Sequence, residues 1–314
     1  MERLTAKEMY RYPLPVSRWL EAAWNAGDEG RHEAVMRLAD AVTFYLGTVA
    51  VGHYYQALYT GQIEADPTLS RSLGSLKRVL PGQWLLWAAR GLGATADDNA
   101  GGMEQLSAWY MRPQNGGVAE AYRGLREVMV ERLGYSGEYG SRETVAPRGL
   151  LEMADQYRII RGKRLEGQAS FGHDSQVAGV LLGGLEALLE SSDFFTEYEL
   201  YAPQQRQLLM GAKPVTPMPP MTAPGDAEGT LLLYPPGEAP DYTKRPSLQN
   251  ERAPLFPLDP LLIYARCDVC DAYRVGALRG VIEGAPTYMG LDPECGHNLA
   301  AMEQEDATII EDRA

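Results

Sequence analysis

All three cysteines of this 314-residue chain lie between positions 267 and 297, in the order Cys267-Asp-Val-Cys270, then 24 residues, then Cys295-Gly-His297. Two thiols separated by two residues can point into one turn. A cysteine and a histidine in a second turn complete four donors, and thiolate sulfur and imidazole nitrogen are the donors zinc takes in a tetrahedron. Gly296 between the second pair eases a sharp backbone turn. The intervening segment, Tyr273 to Tyr288, carries Val275, Leu278, Val281 and Ile282 with breaks at Gly280 and Gly284, which reads as two short strands. The expectation is a structural zinc site of Cys267, Cys270, Cys295 and His297, closed by four protein ligands and so not catalytic. The competing reading is three buried, unmetallated cysteines beside a chance histidine. A disulfide is disfavoured: the count is odd, Met1-Glu-Arg-Leu-Thr5 carries no secretory signal, and a C-x-x-C pair is too local to staple a fold.

The length allows two domains and one sizeable core. Hydrophobic residues make up 45% and charged residues 23%, the composition of a soluble globular protein. No uninterrupted apolar run reaches the roughly 18 residues of a membrane span, so the chain reads as cytoplasmic with no membrane partner. A net charge of -13 repels phosphate, which excludes broad nonspecific binding to nucleic acid but leaves room for a local basic patch. No serine-centred elbow, phosphate loop or dinucleotide glycine fingerprint is present.

Helical periodicity fills the first 190 residues. After the extended Tyr12-Pro-Leu-Pro15, Ser17 is expected to cap a helix carrying Trp19, Leu20, Ala23 and Trp24. Asp28 caps a long helix over 29–59, with Val35, Leu38, Val42, Leu46, Val49 and His53 on one stripe. His53 there reads as a core or boundary histidine. Asp66-Pro67 starts a helix to about Val79, and Pro81 starts another whose end Gly91 and Gly93 weaken. Further helices are expected over 103–111, 118–133, 144–160 and 174–190, the last capped by Asp174. Gly179 to Gly184 inside it reads as close helix packing. Residues 1–192 are thus expected to form an all-α domain of about eight helices.

The composition changes near Phe194. Between Pro203 and Pro260 lie 13 of the 21 prolines, and Pro214 to Pro224 cannot be a regular helix. Short apolar runs at 198–201, 207–210, 230–234 and 261–264 read as strands between turns. Residues 193–314 are expected to be a small, proline-rich β domain that includes the zinc-binding knuckles over 267–297. The predicted class is α+β, helices first.

One further stretch bears on function. Arg158, Arg161, Lys163 and Arg164 fall within seven positions at a helix end, before the glycine-containing run Glu166-Gly-Gln-Ala-Ser170-Phe-Gly-His173-Asp174. Guanidinium groups beside the amides of a following helix N-terminus can bind phosphate. The same charges also complement the dipole at a helix C-terminus, with no ligand at all.

Tyr12-Pro-Leu-Pro15, Arg31-His32 opening a long helix, Leu80-Pro-Gly-Gln-Trp84, and Tyr157-Arg158 with the Gly-Lys-Arg stretch together resemble the HEPN superfamily of helical domains. More narrowly, the chain looks like the HEPN-like modules of bacterial conflict and signalling proteins, in which a short β segment with a C-x-x-C and a later Cys-Gly-His can follow. In active HEPN ribonucleases an arginine binds the phosphate, a histidine a few positions later transfers the proton, and two copies meet in a dimer. This chain departs from that pattern. The positions after Arg161 hold Glu166, Gly167 and Gln168, and His173 lies nine positions beyond Arg164. The resemblance therefore implies a noncatalytic interaction or sensor subunit in bacterial antiviral defence or signalling. Its partner would be another protein of the same system, with RNA or a nucleotide at Arg158, Arg161, Lys163 and Arg164 as the other ligand, and a homodimer is compatible. The alternative it implies is a metal-independent ribonuclease using Arg158, Arg161 and His173.

Overall fold

The computed structural model describes residues 11–59, 61–73, 79–95, 106, 110, 115–135, 149–164, 174–202, 207–208, 232–234, 256–258, 261–282, 285–295 and 297–299. Among these residues the fold is α+β, with helices first and strands after. The helices are α1 (Leu14–Asn25), α2 (Asp28–Tyr59), α3 (Pro67–Leu73), α4 (Pro81–Ala94), α5 (Gly116–Leu133), α6 (Leu150–Arg164), α7 (Asp174–Glu190) and the single turn α8 (Phe194–Glu197). Most of the helix expected over 103–111 lies outside the described residues, though Leu106 and Tyr110 are helical.

Helix α2 is the axis. Its 32 residues include a segment apolar and long enough to cross a membrane, which a search for uninterrupted runs misses, yet 94% of that segment is buried inside the protein. Helices α1, α4 and α7 pack along it. Phe44 of α2 meets Trp84 of α4 edge-on, and Trp84 meets Trp87 in the same way. On another side Tyr45 lies against Phe194 and Phe195 of α8.

Local chemistry sets the helix ends, with two departures from expectation. Helix α1 starts at Leu14, before Ser17, because Pro15 sits in the first turn, where its missing amide is not needed. The Ser17 hydroxyl donates back to the Leu14 carbonyl at 3.1 Å and does not cap. Helix α4 runs through Gly91 and Gly93 to Ala94, held by its buried face of Trp84, Leu85, Trp87, Ala88 and Leu92. The Asp66 cap forms as expected: the amides of Thr68 and Leu69 donate to its carboxylate at 2.7 and 2.8 Å. Helix α7 spans Asp174 to Glu190, as its periodicity predicts.

The strands form two antiparallel sheets of four. The first has the order β2-β1-β3-β4, from β1 (Glu199–Ala202), β2 (Gln207–Leu208), β3 (Leu232–Tyr234) and β4 (Phe256–Pro257). The second has the order β5-β6-β7-β8, from β5 (Leu262–Cys267), β6 (Ala272–Ile282), β7 (Ala285–Gly290) and β8 (Asn298–Leu299). In the second sheet the outer strands β5 and β8 also approach each other, so the sheet is rolled. Leu262, Val275, Ala277, Tyr288 and Leu299 are buried in a cluster continuous with that of the helices.

A bulge between Leu278 and Gly280 ties this sheet to the helices. It leaves Arg279 out of the β6–β7 register. The freed Arg279 carbonyl instead accepts the Val79 amide at 2.7 Å, two residues before α4 begins. A bulge that would otherwise orphan a carbonyl thus becomes a hydrogen-bonded contact between the second sheet and the helical part.

Of the glycines in α7, Gly184 packs as expected while Gly179 and Gly183 face open space. A Cβ at Gly184 would lie 2.3 Å from the Ala121 Cβ and 2.6 Å from Leu150, at the meeting of α5, α6 and α7. Gly184→Val is therefore expected to destabilise the protein by about 2–3 kcal/mol in urea unfolding, against under 1 kcal/mol for Gly183→Ala. Equal losses at both positions would show that the close approach does not constrain the fold.

Candidate functional site

The turn from β5 into β6 carries Cys267, the last residue of β5, and Cys270. Asp271 closes that turn with a φ of 52°, a left-handed conformation that aspartate tolerates better than most residues. The exposed side chains of Arg266 and Asp271 pair across its base. The second turn, from β7 into β8, is held by its own hydrogen bonds. Asp292 accepts the Glu294 amide on its side chain and the Cys295 amide on its carbonyl, both at 2.9 Å. The Gly290 amide donates to the His297 carbonyl at 3.1 Å.

These two turns bring the predicted four together. The donor atoms of Cys267, Cys270, Cys295 and His297 all lie within 4.8 Å of one another. His297 presents Nδ1, at 3.3 Å from the Cys270 sulfur and 3.8 Å from those of Cys267 and Cys295. An ion bonded at about 2.3 Å to sulfur and about 2.0 Å to nitrogen separates them by about 3.5 Å in a tetrahedron. The cluster therefore has the size and donor set of a site for one metal ion.

The surroundings act on the thiols in opposite directions. Burial opposes ionisation of Cys267, but the amides of Cys270 and Val269 and the neighbouring thiols outweigh it and bring the group down to about 7. Burial pushes the Cys295 thiol up to about 12 in the absence of an ion. Arg274 reaches from β6 and donates to Asp292 at 3.0 Å and Glu294 at 3.4 Å, which holds a cation beside the sulfurs of Cys270 and Cys295. Sequence reading found the four donors and missed Arg274 and Asp292, whose pairing depends on the register of β6 against the second turn.

The basic stretch is placed differently. Arg158 and Arg161 lie on α6 and face carboxylates from other helices. Arg158 pairs with Asp40 of α2 and donates to Asp155 at 3.2 Å. Arg161 grips both oxygens of Asp174, at 3.1 and 2.8 Å. Lys163 and Arg164 belong to the last turn of α6, and their side chains lie outside the described structure, as does His173.

Asp174 also organises a second, unpredicted cluster. Tyr157 donates to Asp174 at 3.0 Å, and its only proton is then committed. His32 Nε2, 3.2 Å from the Tyr157 oxygen, must therefore be the donor in that contact. The result is a chain from His32 through Tyr157 to Asp174, closed by Arg161. No local signal in the sequence reveals it, since His32 and Tyr157 are 125 positions apart.

No protein-family model, curated protein or solved structure matches the chain.

Two measurements follow from these sites. A Cβ at Gly290 would lie 2.5 Å from the Cys295 carbonyl and 3.2 Å from its sulfur. Gly290→Ala is expected to weaken metal retention about ten-fold or more in chelator competition, as for other outer-sphere changes; unchanged retention would mean that the second turn has room to adjust.

The second concerns pH. Burial raises the Asp40 carboxyl to about 6, against the pull of Arg158. Its contribution to stability is then full below the ordinary value of 3.8 and is lost as pH rises through about 6. His32 acts in the opposite sense: burial lowers it, and the stability it gives fades as pH falls below its ordinary 6.5. Asp40→Asn isolates the first effect. Relative to the variant, the wild type should gain about 2 kcal/mol in urea unfolding between pH 7 and pH 4, and parallel stability curves would contradict the assignment.

Proposed function

We propose that the chain is a noncatalytic binding subunit, a helical body that engages another protein and carries a β module stapled by one structural zinc ion. Three cysteine sulfurs and one imidazole in a cluster within 4.8 Å favour zinc over metals that prefer oxygen donors. Held by Cys267, Cys270, Cys295 and His297, the ion supplies a cross-link between two turns, and four protein donors leave it no position for a substrate.

The observation that carries the binding reading is the internal pairing of Arg158 and Arg161. A phosphate arriving at these guanidinium groups meets Asp40, Asp155 and Asp174 already there, in a chain of net charge -13. Repulsion disfavours an RNA or nucleotide ligand at that place and favours a protein partner with a basic surface. The resemblance to HEPN-like modules adds the setting, a sensor or interaction subunit in bacterial antiviral defence or signalling. The ribonuclease alternative requires Arg158 and Arg161 to leave their carboxylates and His173 to join them.

The test is native mass spectrometry of the protein expressed with its genomic neighbours, followed by incubation with single-stranded RNA. One zinc per chain, a co-purifying protein and intact RNA are expected. RNA cleavage that Arg161→Ala and His173→Ala abolish in folded protein would replace this reading with the nuclease.

A further inference from the structure

We propose that Cys270 is a site of oxidative modification, whose thiolate reacts with hydrogen peroxide and is then captured in a disulfide by a neighbouring cysteine, dismantling the metal centre. The proposal rests on the zinc reading above.

The three thiols are not equivalent. Cys267 and Cys295 are fully buried, whereas Cys270 is partly exposed and sits next to Val269, which is 70% exposed at the tip of the turn. His297, the fourth donor, is also exposed, so the cluster has one open side. The Cys270 sulfur lies 3.3 Å from His297 Nδ1 and 3.7 Å from the Glu294 carbonyl oxygen, on that open side. Of the three sulfurs, that of Cys270 is therefore the one that peroxide reaches from solvent. Two resolving thiols stand within 4.8 Å of it.

The chemistry balances. The Cys270 thiolate attacks one peroxide oxygen, the O–O bond breaks, and sulfenic acid and hydroxide result. A thiolate of Cys267 or Cys295 then attacks the Cys270 sulfur, the S–O bond breaks, and a second hydroxide leaves as the S–S bond forms. Two thiolates lose two electrons and the peroxide gains them. Two donors remain, too few to hold the ion. The link between the β5–β6 and β7–β8 turns is lost, and with it the rigid support for the Val79–Arg279 contact.

The test uses the full-length, zinc-loaded protein, with zinc counted first by native mass spectrometry. Hydrogen peroxide is added, released zinc is followed with a colorimetric chelator, and each cysteine's state is read by alkylation and peptide mass spectrometry. The expected result is zinc release in step with a disulfide that includes Cys270, with faster hydrogen exchange at the Val79 amide. Cys270→His keeps four donors without the reactive thiol and should release zinc at least about ten-fold more slowly. Zinc release with Cys270 still reduced, zinc retention under peroxide, or equal release from Cys270→His would each overturn the proposal while leaving the zinc reading intact. A protein that carries no zinc would remove both.

Discussion

Between Ala34 and Tyr54 helix α2 has almost no surface open to water, and this governs the arrangement of everything around it. Twenty-one of its 32 residues are buried, on every side of the helix. A helix that is apolar all round must be enclosed. Here α1, α4 and α7 do most of the enclosing, and the turn of α8 closes the remaining side through Phe194 and Phe195. Because α8 leads directly into β1, the β region begins from inside the helical core and not from a detached linker.

The second sheet faces the opposite difficulty. Its outer strands β5 and β8 have only six and two residues, and its buried side chains are split between two faces, with Leu262, Val275 and Ala277 on one and Leu278, Tyr288 and Leu299 on the other. Cores of that size hold a fold only marginally, and small β modules are commonly supplemented by a cross-link. The four donors lie where such a link acts most strongly. They join the turn at the end of an edge strand to the turn before the other edge strand, so one ion would fix the roll of the whole sheet. The bulge at Arg279 then passes that rigidity to the helices through Val79.

The sequence was informative where chemistry is local. Spacing alone picked out the four residues that cluster, because two cysteines two apart can share a turn and the chain has no cysteine elsewhere. Apolar periodicity located α2, α5 and α7 closely, since burial on a helix repeats at fixed steps. Boundaries slipped where a second local rule competed, as at Ser17, which Pro15 displaced from the cap. Long-range pairings were not legible. Asp40 reaches Arg158 across 118 positions, and nothing near either residue announces the other.

Those long-range pairings also change what the basic stretch means. Four cations within seven positions look like a binding site when neighbouring sequence is all that is visible. In three dimensions α2 and α7 supply carboxylates to Arg158 and Arg161, and Tyr157 and His32 extend the network inward. A buried charge is tolerated when it is paired and hydrogen-bonded, and here the pairing also fixes how α6 sits against α2 and α7. Replacing one arginine would leave a carboxylate with raised proton affinity in a half-buried seam, so loss of a ligand contact and loss of helix packing would look alike in any binding assay. The carboxylates separate them. Substitution of Asp40 or Asp174 frees a guanidinium for an anion while weakening the seam, so it strengthens phosphate binding if these arginines serve a ligand and only destabilises the protein if they serve the fold.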